Sequence, residues 1–298
     1  MKPPPFDYHR PTSVEEALAV LDDAGHDGKV LAGGQSLVPL LNMRLAAPAH
    51  LVDVNRLAEL AYVRSDDHAV RVGALARHAE VEHDADAHAA VPLLRQALAD
   101  LAHPAIRNRG TVVGSLVHAD PAGELPAVLA LLGGAIELAG VGARRTVPAA
   151  EFFLGPLETA RRPAELATEA VFPRPPAGSG SAWREVARRH GDYALCGVGV
   201  LVTLDRDRRV AAARAACVSV GPTPVLVDLA DAVGGRPHDA ADWAAAGALA
   251  AAAVDPEDDI HATAAYRRHL AGVLTARAGR AAAEQAAGQA AGEGAGGG

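Results

Sequence analysis

LAGGQSLVPLLNMRLAAPAHLVDVNRL, residues 31–57, changes texture three times within a few turns. Lys29 to Ala32 reads as a short buried strand. Gly33-Gly34 breaks it. A helical pattern then runs from about Ser36 to Leu45 and stops ahead of Pro48, because a residue before proline is pushed out of helical geometry. Leu51 to Val54 reads as a second buried strand. A glycine pair between strand and helix lets backbone N–H groups approach an anion closely, with the helix terminus adding a favourable dipole and Ser36 a hydroxyl. The plainer reading is a strand-to-helix turn that needs backbone freedom. The segment is neither a G-x-G-x-x-G fingerprint nor a Walker loop.

Upstream, Ser13 and Glu16 form a capping-box pattern ahead of an apolar-periodic run, Val14 to Leu21. Downstream, Tyr62–Arg64 and Val70–Val72 flank a polar turn and predict a hairpin. Helical patterns cover about 77–81 and 91–101. The block IRNRGTVVGSLVHADPAGELPAVLALLGG (106–134) is polar and glycine-punctuated in its first half and an apolar helix from Glu124 in its second. Within it, RGTVVGS (109–115) offers small residues and the hydroxyls of Thr111 and Ser115. Two such loops could grip the two phosphates of a dinucleotide from opposite sides. Strands are expected at 135–139 and 166–172. PRPPAGSG (173–180) is the linker candidate. Beyond it, 198–204 and 210–220 alternate as an antiparallel pair, and helices close the chain at about 243–254 and 264–283. The Ala/Gly-rich end is expected to fray into a disordered tail over 285–298.

Composition excludes several classes. The 298 residues are 50% hydrophobic but only 3% aromatic, which is enough apolar content for about two folded domains. Two cysteines, Cys196 and Cys217, cannot by themselves ligate an iron–sulfur cluster or a four-cysteine zinc site. They read as buried strand residues. A net charge of −8 argues against nucleic-acid binding. The start MKPPPFDYHR lacks a signal-peptide apolar run, and the longest apolar stretch, 127–136, is too short to span a bilayer. A cytoplasmic protein is expected. His78, His83 and His88 lack the one-face spacing of a zinc helix and read as surface residues. Ser36 and Ser115 lack a nucleophile elbow. GVGVLV (197–202) reads as strand, not phosphate loop.

With both loops in view, a resemblance becomes clear. AGGQSLVPLLNMRLAAPAHLVDVNRL (32–57) resembles the first flavin-binding motif of the FAD-binding (medium) subunit of molybdenum hydroxylases, the group of aerobic carbon monoxide dehydrogenase and xanthine dehydrogenase. IRNRGTVVGSLVHADPAGELPA (106–127) resembles the second. FDYHRPTSVEEAL (6–18), RHGDYALCGVGV (189–200) and AAYRRHLAGVL (264–274) are also similar to that family, in the same order.

The resemblance implies an α+β fold. Its parts are a two-subdomain FAD-binding domain of the vanillyl-alcohol-oxidase type over 1–175, divided near 57, and a smaller C-terminal domain over 176–284. That domain usually carries a three-stranded antiparallel sheet with helices. It also implies that Ala32, Gly33, Gly34, Gln35 and Ser36, with Thr111, Val112, Val113, Gly114 and Ser115, contact the FAD pyrophosphate. Glu124 falls at an acidic position that bonds the nucleotide, or else complements a helix start. Arg184 falls where relatives often have a lysine near the flavin, or else is a solvated surface residue. Tyr193 matches an aromatic that packs against the isoalloxazine, or else fills core. Val113 replaces the first of two adjacent glycines in many relatives. It is expected to be extended, with its side chain turned away.

The implied function is electron transfer. A partner small chain would hold two [2Fe–2S] clusters and a partner large chain the molybdenum cofactor. This chain would pass electrons through FAD to an external acceptor such as a quinone, NAD or oxygen. The alternatives are a stand-alone FAD oxidoreductase of the same fold and a flavin-free assembly module.

Overall fold

In this computed structural model, backbone is described for residues 2–295 and side chains for residues 2–289. The N-terminal body comprises β1 (Asp7–His9), α1 (Val14–Ala24), β2 (Gly28–Leu31), α2 (Leu37–Asn42) and β3 (His50–Asp53). Its three strands are parallel in the order β1-β3-β2. Ser13 caps α1 by accepting the Glu16 N–H at 3.2 Å. The reciprocal arm of the expected capping box is absent. The Glu16 carboxylate instead accepts the Thr12 N–H and hydroxyl, two donors on one residue. α2 stops at Asn42, short of the expected Leu45, because Arg44 adopts φ +59°, which no right-handed helix accommodates.

The second body holds β4 (Val63–Ser65), β5 (Ala69–Gly73), α3 (His78–His83), α4 (Ala85–Ala90), α5 (Pro92–Asp100), α6 (Pro104–Arg107), α7 (Val112–His118) and α8 (Glu124–Leu132). β6 (Ala135–Gly140), β7 (Ala143–Pro148), α9 (Ala149–Phe152), β8 (Phe153–Gly155), β9 (Glu158–Thr159) and β10 (Leu166–Pro173) complete it. Its main sheet is antiparallel in the order β4-β5-β10-β6-β7. The polar half of 106–134 contains two helices that sequence reading missed. Thr111 starts the second, its hydroxyl accepting the Gly114 N–H at 3.1 Å. Val113 is therefore helical and buried, not extended as expected.

The C-terminal body carries β11 (Ser179–Ala187), β12 (Ala194–Leu204), β13 (Val210–Val218), β14 (Val225–Asp228), α10 (Ala230–Val233), α11 (Trp243–Ala253) and α12 (Ala264–Ala295). The sheet has four strands in sequence order, one more than the resemblance implied; β14 adds to the outer edge of β13. Trp183, Leu201, Ala216 and Val218 of this sheet join the core that α8 fills.

α12 corrects the expected end of the last helix. It continues beyond 283 through Ala295, and Ala271, Ala278, Ala282 and Ala286 are fully buried. Alanine is the best helix former, and a stripe of methyl groups lets the helix lie close on the sheet. A Cβ at Gly180 would collide with the backbone of Ala282 and Ala286. Gln285 Oε1 accepts the Ser181 N–H at 2.7 Å. Of the tail expected over 285–298, residues 296–298 lie outside the described residues.

Cys196 and Cys217 are free and buried in adjacent strands. Burial raises both thiols, Cys217 to about 12. Among the described residues, no helix is long and apolar enough to cross a membrane.

Candidate functional site

The two glycine loops meet. A Cβ on Gly33 would sit 2.5 Å from the Arg109 carbonyl oxygen and 2.7 Å from Gly110 Cα, so only glycine permits this approach. Gly34, at φ +73°, then turns the chain into α2. The loops wall one side of a cavity of about 320 Å³. Ala32, Gly33, Gly34, Gln35, Ser36, Thr111, Val113, Gly114 and Ser115 line it. Val112 does not; it is fully buried in the core.

Hydrogen bonds within the protein hold the loops in register. Asn55 Nδ2 donates to the Ala32 carbonyl at 2.9 Å and to Asp53 Oδ1 at 2.6 Å. The Tyr8 hydroxyl donates to the other Asp53 oxygen. Arg77 Nη1 donates to the Arg109 carbonyl at 2.6 Å, and Nη2 to Asn55 Oδ1 at 2.8 Å. One guanidinium thus ties the second loop to the residue that holds the first.

The donors left over belong to residues that line the cavity. Among the described residues, the amides of Gly33, Gly34, Gln35 and Ser36 have no backbone or side-chain acceptor. In the second loop, the Val112 N–H donates to Ala76, and the Gly114 and Ser115 N–H groups donate to Thr111. Val113, in the first turn of α7, keeps its amide free of the i−4 ladder. α2 has six residues and α7 seven, so the helix dipole considered from sequence has little length to act through.

Four basic residues also line the cavity: Lys29, His78, His118 and Arg161. Among the described residues, no Asp or Glu lines it. Burial, then the Arg161 charge, lowers the Lys29 pKa. Burial likewise lowers Arg161, whose Nη1 donates to the carbonyls of Arg162, Pro163 and Glu165. An anion here would meet two cations, Lys29 and Arg161, whose charged forms burial disfavours.

Sequence reading missed this basic lining. It also placed His78 at the surface, where the structure buries it to 3% exposure. Lys29 heads the strand that feeds the first loop, which is a usable local signal. Arg161 lies on the connection between β9 and β10 and has none.

Glu124, Arg184 and Tyr193 are not in this cavity. Glu124 begins α8, buried at 8% exposure, and desolvation raises its carboxyl to about 7. Arg184 is exposed on β11 and donates to the Trp183 carbonyl. Tyr193 is 70% exposed, so it fills no core. It borders a larger cavity of about 740 Å³ between the second and C-terminal bodies, together with Asp120, Arg188, Asp259 and Arg267. The two cavities flank a shared wall. Leu157 lines one and Pro156 the other, and the Leu157 N–H donates to Ala119 beside Asp120.

Residues 4–175 match the family described as the FAD binding domain in molybdopterin dehydrogenase, and residues 181–282 match the CO dehydrogenase flavoprotein C-terminal domain. The chain belongs to the FAD-binding medium subunits of the molybdenum hydroxylases. Within this family it is 41% identical to the 6-hydroxypseudooxynicotine dehydrogenase complex subunit alpha of Paenarthrobacter nicotinovorans, over 93% of this chain and 94% of that one. Two solved structures share its fold closely. One is carbon monoxide dehydrogenase from Hydrogenophaga pseudoflava lacking the Mo-pyranopterin moiety, with a TM-score of 0.89 at 36% identity, covering 96% of this chain and 99% of that chain. The other is quinoline 2-oxidoreductase from Pseudomonas putida 86, with a TM-score of 0.90 at 35% identity, covering 96% and 99%. A diphosphate fits what the medium-subunit fold provides here: loop amides without acceptors, a basic lining and no carboxylate.

Proposed function

We propose that this chain is the flavin subunit of a molybdenum-containing hydroxylase, with the FAD pyrophosphate held between the two glycine loops. The observation that carries this reading is the convergence of both loops on one cavity with free amides and only basic charged residues. When bound, FAD supplies the exchange between one-electron [2Fe–2S] donors on a small partner chain and an external acceptor such as a quinone, NAD or oxygen.

The chain's own residues bind and orient. The amides of Gly33, Gly34, Gln35, Ser36 and Val113 donate to phosphate oxygens, and the hydroxyls of Ser36, Thr111 and Ser115 stand beside them. Lys29 and Arg161 neutralise the diphosphate. Tyr193, on the neighbouring cavity, would be the aromatic side chain beside the flavin ring. Glu124, outside both cavities, reaches Tyr193 through its charge, and Arg184 is left without a role at the site. Substrate choice belongs to the molybdenum-binding partner: relatives similar over nearly the whole chain are named for different compounds. Free, buried cysteines support a cytoplasmic location.

The test is to produce the full chain with and without the small and large partner chains. The expected result is a yellow protein, or a colourless one that takes up FAD stoichiometrically, and co-purification of all three chains. A chain that takes up no added FAD would overturn the reading. An active flavin enzyme without partners would replace it with the stand-alone oxidoreductase.

A further inference from the structure

His78 lies beneath the second loop, with Nε2 2.9 Å from Ser115 Oγ. Its ring is packed from the other side as well: a Cβ on Gly110 would sit 2.7 Å from Nδ1 and Cε1. Among the described residues, Nδ1 is buried without a hydrogen-bond partner. Burial holds the imidazole neutral, with its pKa down to about 4. The Thr111 backbone offsets this in part, and the charges of Arg107 and Arg77 add to it.

A neutral imidazole carries one proton, and the surroundings choose its nitrogen. On Nδ1, that proton would be a stranded buried N–H, one of the rarest groups in folded proteins. On Nε2 it meets Ser115 Oγ, and only a lone pair is left unpaired. The Nε2–H tautomer is therefore favoured, and Ser115 Oγ is an acceptor in this bond. Its own proton must point elsewhere. Ser115 makes no other side-chain hydrogen bond among the described residues, and it lines the anion cavity.

Building on the flavin reading above, we propose that His78 is a positioning residue that turns the Ser115 hydroxyl into a donor aimed at the diphosphate. The imidazole, 3% exposed, acts through the serine. It consumes one acceptor site on the serine oxygen and so fixes which way the hydroxyl points.

The test uses the full chain freed of flavin, titrated by calorimetry with FAD, ADP and adenosine. His78→Phe keeps a ring but removes the donor, and it should weaken FAD and ADP about tenfold, the scale of one hydrogen bond to a charged group. Adenosine, which lacks phosphates, should change less than about twofold. His78→Gln, which retains an N–H, should recover most of the affinity. In a Ser115→Ala background, His78→Phe should add no further loss. An equal loss on adenosine, or an equal loss in the Ser115→Ala background, would show that the ring only packs the loop and would overturn the proposal. If the unsubstituted chain binds neither FAD nor ADP, the flavin reading itself falls. If it binds both and His78→Phe changes nothing, only this inference falls.

Discussion

Arg77 donates to Asn55 Oδ1 at 2.8 Å across the boundary between the two N-terminal bodies. With its second bond to the Arg109 carbonyl, it makes the spacing of the two glycine loops a property of the folded chain. Arg77→Ala removes both bonds and leaves Asn55 Oδ1 without this donor. Charge-assisted hydrogen bonds are worth roughly 1.5–3 kcal/mol each. FAD affinity should fall about tenfold to a hundredfold, read by flavin fluorescence during titration. An unchanged dissociation constant would show that the loops keep their spacing without the arginine.

Gly33→Ala tests the closest approach in the site. Its methyl would lie 2.5 Å from the Arg109 carbonyl oxygen, so the loops must separate. Overpacking of this kind costs about 1–3 kcal/mol. The variant should purify without visible flavin absorption and melt earlier than the parent.

Val113→Gly installs the glycine that the family resemblance implies at this position. Val113 already lies in a helical turn, so glycine brings no conformational gain, while a buried side chain and helix propensity are lost. Stability should fall by about 2–3 kcal/mol in denaturant unfolding. FAD affinity should stay within about threefold, since the amide donor is retained. Markedly tighter binding would show that the valine obstructs the loop.

Glu124 and Glu185 set a pH dependence. Burial raises Glu124 to about 7 and, with the charges of Glu124 and Asp100, Glu185 to about 8. Each folded-state value lies above the ordinary glutamate value of 4.5. Between the two, the folded chain binds more protons than the unfolded chain, so stability falls as pH rises from about 4.5 to about 7 and 8, then levels. Glu185→Gln should raise the melting temperature at pH 8.5, by roughly 2–4 °C per kcal/mol relieved, and leave it nearly unchanged at pH 4.5. A gain of equal size at both pH values would show that ionisation is not the cause.

Gly180→Val separates the C-terminal body from the site. The side chain would strike the α12 backbone at Ala282 and Ala286. A loss of about 1–3 kcal/mol or more is expected, with FAD affinity preserved in whatever fraction remains folded. Equal loss of affinity would mean that α12 supports the loops as well.

What could be read from the sequence was local. Gly33-Gly34 and Thr111 to Ser115 are contiguous signals, and both landed on the cavity. The alternation in β12 and β13 announced their pairing. Lys29, His78, His118 and Arg161 reach the cavity from four separate parts of the chain, and no spacing rule links them. α7 is too short to show a helical period. α12 was misjudged for a different reason. Its Ala and Gly residues look like low complexity until the sheet beneath it shows that small side chains are what the close contact requires.

The bonds that run from Tyr8 through Asp53 and Asn55 to Arg77 join four side chains that do not line the cavity. The spacing of the two glycine loops thus rests on a relay of side chains behind the cavity wall. A substitution anywhere along that relay would be felt at the site without touching a residue that lines it.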